Sequence, residues 1–241
     1  MGLLQAQVLS SASIIGGLAL APGWSRAPGM ISPRDPVVIG PQAFLRPQGL
    51  GLANVLYNMR VNHPNHWEAL VSAFRSEFRF VRRIEFPVAA GGAQIHLTID
   101  DERFPGRPVF ASEMSDGMIA YLCLLAALLH PWQIGVLGLD EPETGLHPSA
   151  LSRLVAIAHE KGIGQVDYRR NVVIVTHSDE LLDELTTPDE SIRIVDSTKE
   201  GAHIAKLDAT ALKEWRKVYA LRDLRRDGFL DSPNAAYGTP R

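Results

Sequence analysis

The feature that most constrains this chain of 241 residues is an apolar run that ends in two adjacent carboxylates. Ile134–Leu139 is almost wholly apolar, and Asp140 and Glu141 follow it directly. Such a run is typical of a strand buried in a parallel sheet, and the carboxyl ends of these strands face the crevice where ligands bind. The turn Thr144–Pro148 comes next. The pattern therefore predicts an acidic site at one edge of an α/β sheet.

A second motif, Ser115-Asp116-Gly117, precedes the apolar run Gly117–Leu129, which we expect to be a buried helix. Ser and Asp are ordinary helix N-caps, so these residues could serve only to begin the helix. A helix N-terminus with a nearby hydroxyl can also bind a phosphate. The spacing of one helix and a short turn before the acidic strand favours the phosphate-binding interpretation.

A third motif, Thr176-His177-Ser178, follows a second apolar strand, Val172–Val175. A histidine at this place can cap the next helix or fill the core. It can also form a hydrogen bond to a phosphate or to an attacking water. The order of acidic strand, helix, strand and histidine favours the functional role for His177.

Strands that alternate with helices predict an α/β fold with parallel central strands. The predicted strands are Val37–Ile39, Val88, Gln94–Ile99, Ile134–Leu139, Val172–Val175, Ile192–Val195 and Ala202–Leu207. The predicted helices are Gly51–Val61, an amphipathic helix with its apolar face from Trp67 to Val81 and Asn65 as N-cap, Gly117–Leu129, Ser149–Lys161, Asp179–Leu185 and Leu212–Arg226. We expect a loop at Phe104–Phe110, a poorly ordered leader at 1–36 and a flexible tail at 227–241.

Composition excludes several classes of protein. The net charge of −3 and the lack of a basic stripe give no electrostatic reason to expect nucleic-acid binding. Cys123 is the only cysteine, which excludes an internal disulfide and fits a reducing cytoplasm. No positive charge precedes the apolar stretch Val8–Ala21, so a signal peptide is not predicted, and the stretch is too short for a convincing membrane span.

The chain has no phosphate-binding P-loop upstream of these motifs. That loop needs the pattern G-x-x-x-x-G-K-[ST] after an early strand. The first lysine is Lys161, so the lysine that would hold the β- and γ-phosphates is not among the residues before the acidic strand.

These motifs together resemble the ABC-type ATPases, in the S-D-G form typical of the SMC/RecF-like predicted ATPases of the AAA family. Ser115–Gly117 is similar to the signature motif, Val136–Glu141 to Walker B, Thr144–Pro148 to the D-loop and Val173–Ser178 to the H-loop. The resemblance covers about residues 37–230, which we interpret as a partial ATPase domain with a helical segment at 50–83 and its motifs at 112–178. Gln42 and Gln48 are both candidates for the Q-loop.

The resemblance implies a P-loop NTPase-like, ABC-type carboxy-terminal lobe whose amino-terminal lobe is missing. It implies ATP and Mg²⁺ as cofactors, with Asp140 ordering Mg²⁺ through water, Glu141 as catalytic base and His177 as switch. Ser115, Asp116 and Gly117 would contact ATP bound to a partner, and Gly145 and His147 would belong to the D-loop. The partner would be a second copy or an ATPase subunit that supplies Walker A.

The sequence therefore predicts a truncated or split ATPase that is inactive alone. The alternative is a non-enzymatic interaction or dimerisation protein derived from an ATPase. A role in DNA maintenance rests on family analogy alone. We expect a cytoplasmic location without membrane contact.

Overall fold

The computed structural model has a mixed α/β fold and describes most of the chain between residues 32 and 179. The described residues are 18–20, 32–40, 45–131, 136–159, 162–163, 166–167, 171–179, 181, 192–198, 201–206 and 223–224. The chain divides into two compact units, residues 1–176 and 177–241, which are described separately. The predicted domain limits of 37–230 stay a prediction.

A three-stranded parallel sheet carries the acidic run in the first unit. Its order is β1 (Leu18–Leu20), β7 (Val136–Asp140) and β10 (Asn171–Val175). Both neighbours of β7 run parallel to it, which confirms the predicted parallel central strands. β1 falls within the predicted leader, and most of that leader lies outside the described residues.

The two faces of this sheet differ in burial. One face is built by Leu137 and Leu139 of β7 with Val172 and Ile174 of β10, and all four belong to or pack against the hydrophobic core that the helices also build. On β10 the alternate residues Val173 and Val175 point the other way and are 48% and 37% exposed. This alternation follows from the two-residue period of a strand.

Among the described residues, four α-helices accompany the sheet: α1 (Leu52–Asn62), α2 (Pro64–Glu77), α3 (Asp116–Leu129) and α4 (Pro148–His159). In α3 every residue from Met118 to Leu129 is buried, as expected for a helix that is apolar on all sides. It packs against the other three helices. The first unit is therefore organised around α3.

The prediction for α2 was wrong at both ends. Its N-cap is His63, not Asn65, and Pro64 is the first helical residue, where proline's fixed φ suits a helix start. The helix ends at Glu77, because Phe78 leaves helical geometry at φ −107° and ψ 71°. Val81 is buried like the helix residues before it, but it belongs to a strand.

The sequence between α2 and α3 forms an antiparallel sheet. It contains β3 (Val81–Glu85), β5 (Thr98–Asp101) and β6 (Pro108–Phe110) in the order β3-β5-β6. The predicted strand Gln94–Ile99 is divided between β5 and β4 (Gln94–Ile95), which pairs with β2 (Val37–Val38). The predicted loop at Phe104–Phe110 was wrong at its end, where β6 begins, and β3 was missed.

The remaining strands form short antiparallel pairs. In the first unit β8 (Gly162–Ile163) pairs with β9 (Val166–Asp167). In the second unit β11 (Arg193–Thr198) and β12 (Gly201–Lys206) form the predicted hairpin. The predicted tail lies outside the described residues, as does nearly all of the predicted helix Leu212–Arg226. In the described part of the chain, no helix has the length and apolar character needed to cross a membrane.

Candidate functional site

The acidic pair lies where β7 and β10 end together. Asp140 is the register partner of Val175, and the Glu141 N–H donates to the Val175 carbonyl at 2.7 Å. This hydrogen bond extends the parallel pairing by one residue past β7. Both carboxylates therefore emerge at the carboxyl-terminal edge of the sheet, as the sequence predicted.

Asp140 presents a carboxylate oxygen that is suited to a cation. Its Oδ1 is buried and accepts no hydrogen bond from any described residue. Buried polar atoms are nearly always satisfied, and a bound ion is one way to satisfy them. No group of three or more metal-ligating side chains occurs in the described part of the chain. Mg²⁺ at a nucleotide site is held largely by phosphates and water, so one or two carboxylates fit it.

Glu141 has an unusual backbone conformation. Its φ is +44°, in the left-handed region that side-chain-bearing residues rarely adopt. Such a conformation costs about 1–3 kcal/mol and persists where the surroundings impose it, often at functional sites. Here the surroundings are the bond to Val175 and a turn in which the Thr144 N–H donates to the Glu141 carbonyl at 3.0 Å.

The sequence analysis assigned no role to the side chains of two further residues at this edge. The Thr176 hydroxyl donates to Glu143 Oε1 at 2.6 Å, which ties the turn after β7 to the end of β10. Glu143 lies two residues beyond Glu141, and Thr176 directly precedes His177. Their positions within the motifs were the only signal that could have identified them.

Ser115-Asp116-Gly117, the predicted signature motif, lies at the start of α3. Ser115 is the N-cap, and its Oγ accepts a hydrogen bond from the Met118 N–H at 3.2 Å. A serine hydroxyl that accepts one bond still has its own hydrogen to donate. Capping and phosphate binding are therefore compatible at Ser115, which is exposed.

Gly117 lies against Gly145, so the turn that begins α3 contacts the turn that follows Glu141. A Cβ placed on Gly117 would lie 2.7 Å from the carbonyl oxygen of Gly145, which is closer than real Cβ atoms approach. Gly145 itself has φ +81°, where glycine is favoured. The two motifs thus meet backbone to backbone, through two glycines 28 positions apart in the sequence.

His147, in the predicted D-loop, is linked by hydrogen bonds to two helices. Its Nδ1 is 2.8 Å from Ser149 Oγ, and that hydroxyl donates to Glu77 Oε1, at the end of α2, at 2.6 Å. The His147 carbonyl also accepts from the N–H groups of Ala150 and Leu151 in the first turn of α4. These bonds explain the position of His147 without a metal.

His177 is exposed and is the first residue of the second unit. It follows Thr176 directly in the chain. Its predicted role as the switch stays a prediction.

Residues 52–183, more than half of the chain, match the family described as "AAA domain, putative AbiEii toxin, Type IV TA system". The chain belongs to this AAA domain family, which confirms the predicted assignment to the AAA family of ATPases. The predicted fold class is confirmed in its α/β character and its parallel central strands. No curated protein sequence matches the chain significantly.

Solved structures of SMC heads are similar in part. One, described as "Structural biochemistry of ATP-driven dimerization and DNA stimulated activation of SMC ATPases", is 14% identical over 68% of this chain and 96% of its own, with a TM-score of 0.40. The SmcHead bound to the C-winged helix domain of ScpA is 12% identical over 67% and 50%, with a TM-score of 0.45. The Smc head with coiled coil and joint from Pyrococcus yayanosii is 14% identical over 62% and 29%, with a TM-score of 0.39.

Proposed function

We propose that this chain supplies the hydrolytic half of an ABC-type ATPase site and acts with a lobe that carries Walker A. The observation that carries the proposal is the edge where β7 and β10 end in register, with the partnerless Asp140 Oδ1 beside Glu141. Family membership supports nucleotide as the ligand. ATP and Mg²⁺ are the cofactors of this proposal.

Each carboxylate has a distinct role in this site. Asp140 holds Mg²⁺ through water, and the metal, when bound, offsets the charge of the phosphates. Glu141 accepts the proton of the attacking water. The Glu141 backbone is held by its hydrogen bonds with Val175 and Thr144, and this limits the directions that the side chain can take. The predicted role of His177 as the switch is kept as part of this proposal.

The signature motif serves a second nucleotide in this proposal. Ser115 and Gly117 lie at the start of α3, whose free N–H groups favour an anion. Two such chains arranged head to tail would each offer this turn to ATP held by the other. The partner is a second copy or an ATPase subunit that supplies Walker A, and the location is cytoplasmic. Action on DNA rests on family analogy alone.

The contact between Gly117 and Gly145 supports coupling within this assembly. The turn that follows the catalytic carboxylates touches the turn that would bind the partner's nucleotide. We therefore expect a movement of one turn to displace the other.

The test is steady-state phosphate release by the 241-residue chain, with and without an added lobe that carries G-x-x-x-x-G-K-[ST]. We expect negligible turnover by the chain alone, because the P-loop supplies most of the phosphate affinity. The added lobe should restore turnover. Glu141→Gln should then abolish hydrolysis while ATP stays bound, since the amide keeps the shape but is no base.

The matched control is Glu68→Gln, at an exposed glutamate of α2. It should leave turnover unchanged. Strong Glu141-dependent turnover by the chain alone would show that no added lobe is needed. Binding of the lobe without any ATP hydrolysis would favour the interaction protein instead.

A further inference from the structure

Arg34 binds the signature loop from a distant part of the sequence. Its Nη1 donates to the carbonyls of Ala111 at 2.6 Å and Met114 at 2.7 Å, and its Nη2 donates to the Asp116 carboxylate. The Arg34 side chain is 4% exposed. One guanidinium thus holds three acceptors in the six residues that lead into α3.

The segment that carries Arg34 is itself braced. The Ser32 N–H donates to Asp35 Oδ2 at 2.7 Å, and the Asp35 N–H donates to the Ser32 carbonyl at 3.1 Å. These bonds close a turn around Arg34. The guanidinium is therefore presented to the loop in one orientation, which lowers the conformational entropy lost in holding it there.

The negative charge of Asp116 at the start of α3 is offset by the guanidinium of Arg34. The first turn of α3 is a favourable place for an anion because of its free N–H groups. The Asp116 carboxylate, 68% exposed, adds a negative charge to this turn and would repel a phosphate. The guanidinium of Arg34 lies against that carboxylate and offsets its charge.

We propose that Arg34 is a positioning residue for the signature motif. It fixes the Ser115–Gly117 turn through two carbonyls and neutralises Asp116, so that the turn can accept the phosphate of a partner's ATP. This inference rests on the proposed function. An arginine suits the task because its planar fork reaches several acceptors at once, whereas a lysine offers one point charge.

The test uses the chain combined with its Walker A-bearing lobe. Arg34→Met should raise the KM for ATP about five- to tenfold, the effect of one uncompensated charge a few ångströms from a phosphate in water-like surroundings, which fits the 68% exposure of Asp116. The kcat should change less. The defect should shrink as salt is raised, because exposed charges are screened.

Asp116→Asn in the Arg34→Met background separates charge from structure. It removes the carboxylate that Arg34 no longer neutralises, so we expect the KM to return most of the way to its original value. A purely structural role for Arg34 predicts no such recovery, and failure to recover would overturn the charge argument.

Arg34→Lys tests whether Arg34 fixes the conformation of the Ser115–Gly117 turn. It also replaces Arg34→Met as the test variant if Arg34→Met does not fold. The lysine keeps the charge, so the KM should stay near its original value. Its donors all lie on one nitrogen and cannot reproduce the fork that reaches its acceptors through both Nη1 and Nη2, so amide hydrogen exchange at Met118 and Ile119 should become faster in the chain alone. Unchanged exchange in both Arg34 variants would overturn the positioning role.

The marker for the proposed function itself is Glu141→Gln. If that change abolishes turnover and Arg34→Met leaves the KM and its salt dependence unchanged, only the inference about Arg34 fails. If Glu141→Gln leaves turnover intact, the proposed function fails, and the inference fails with it.

Discussion

At the scale of single residues, Gly117 is the clearest case of a position that accepts only glycine. In Gly117→Ala the new methyl group would overlap the Gly145 carbonyl oxygen. Overpacking typically costs about 1–3 kcal/mol, which exceeds the gain of up to about 1 kcal/mol that alanine has over glycine in a helix. We expect a lower midpoint of urea unfolding. Gly40→Ala is the control, because its Cβ would meet only Asn54 at an ordinary 3.7 Å.

The buried carboxylate of Asp101 gives a second prediction at this scale. Asp101 is 1% exposed and accepts bonds from the backbone and guanidinium of Arg103, down to 2.7 Å at Nη2. These bonds hold the pKa of Asp101 below its ordinary value. A lowered pKa stabilises the fold above the unfolded pKa of about 4, and this stability is lost as pH falls through the folded pKa.

Arg103→Met should therefore lower the free energy of unfolding at pH 7 by about 1–2 kcal/mol, because it leaves the buried Asp101 carboxylate without its partner. We expect a value in the lower part of the range for such a loss, since the Arg103 side chain is 55% exposed and its charge is partly screened by solvent. The deficit should disappear in acid below the folded pKa. Urea unfolding at several pH values measures it. Arg82→Met, at an exposed neighbour on β3, should show neither effect. An equal deficit at pH 7 and pH 3 would contradict the electrostatic explanation.

Sequence reasoning identified residues whose motifs are contiguous and missed those that depend on long-range contacts. Asp140 and Glu141 were identified because a strand places its last residues at the sheet edge. Arg34 was missed because its partner Asp116 is 82 positions away, and nothing local marks an arginine as buried. The backbone strain at Glu141 was equally invisible, since it arises from the hydrogen bond to β10.

At the scale of elements, prediction succeeded where periodicity and burial agree. The bounds of α3 and β10 differ from the prediction by one residue at one end, because a uniformly apolar run has only one way to be buried. α2 was extended too far because Phe78 and Val81 continue its 3.6-residue period while belonging to a turn and to β3. Periodicity alone cannot separate a final helical turn from a buried strand residue.

Two buried side chains of α3 lead us to expect that the fold becomes less stable at high pH. Burial raises the pKa of the Tyr121 phenol and of the Cys123 thiol. A raised pKa of an acid means that the fold holds the neutral form. The stability is therefore complete below the unfolded pKa values, about 8.5 for cysteine and 10 for tyrosine, and is lost as pH rises above them.

Tyr121→Phe should reduce that alkaline loss and be harmless at neutral pH. Tyr121 Oη is buried and has no hydrogen-bond partner among the described residues, so its removal leaves nothing unsatisfied and can raise the free energy of unfolding by up to about 1 kcal/mol. Thermal unfolding between pH 7 and 11 measures both effects. Tyr57→Phe, at a half-buried tyrosine, is the control. Destabilisation at pH 7 by Tyr121→Phe would show that the hydroxyl is hydrogen-bonded.

At the scale of the whole molecule, the parallel sheet is covered on one face and open at β10 on the other. Parallel sheets are normally covered on both faces. Val173 and Val175 instead expose 48% and 37% of their surface next to the edge that carries Asp140. Exposed apolar strand faces promote association. We therefore expect the isolated chain to self-associate through this face.

The last prediction tests that face directly. In the double variant Val173→Thr, Val175→Thr the side chains keep the branched shape that strands favour but become polar. The midpoint of self-association should move to higher protein concentration, and the free energy of unfolding should change little because both valines are already in contact with solvent. Sedimentation velocity over a wide concentration range measures the effect. The control is Val61→Thr, Val88→Thr, at two valines that are 57% and 60% exposed elsewhere. If the unmodified chain is a monomer at every concentration, or if both double variants weaken association equally, the open face of β10 does not drive association.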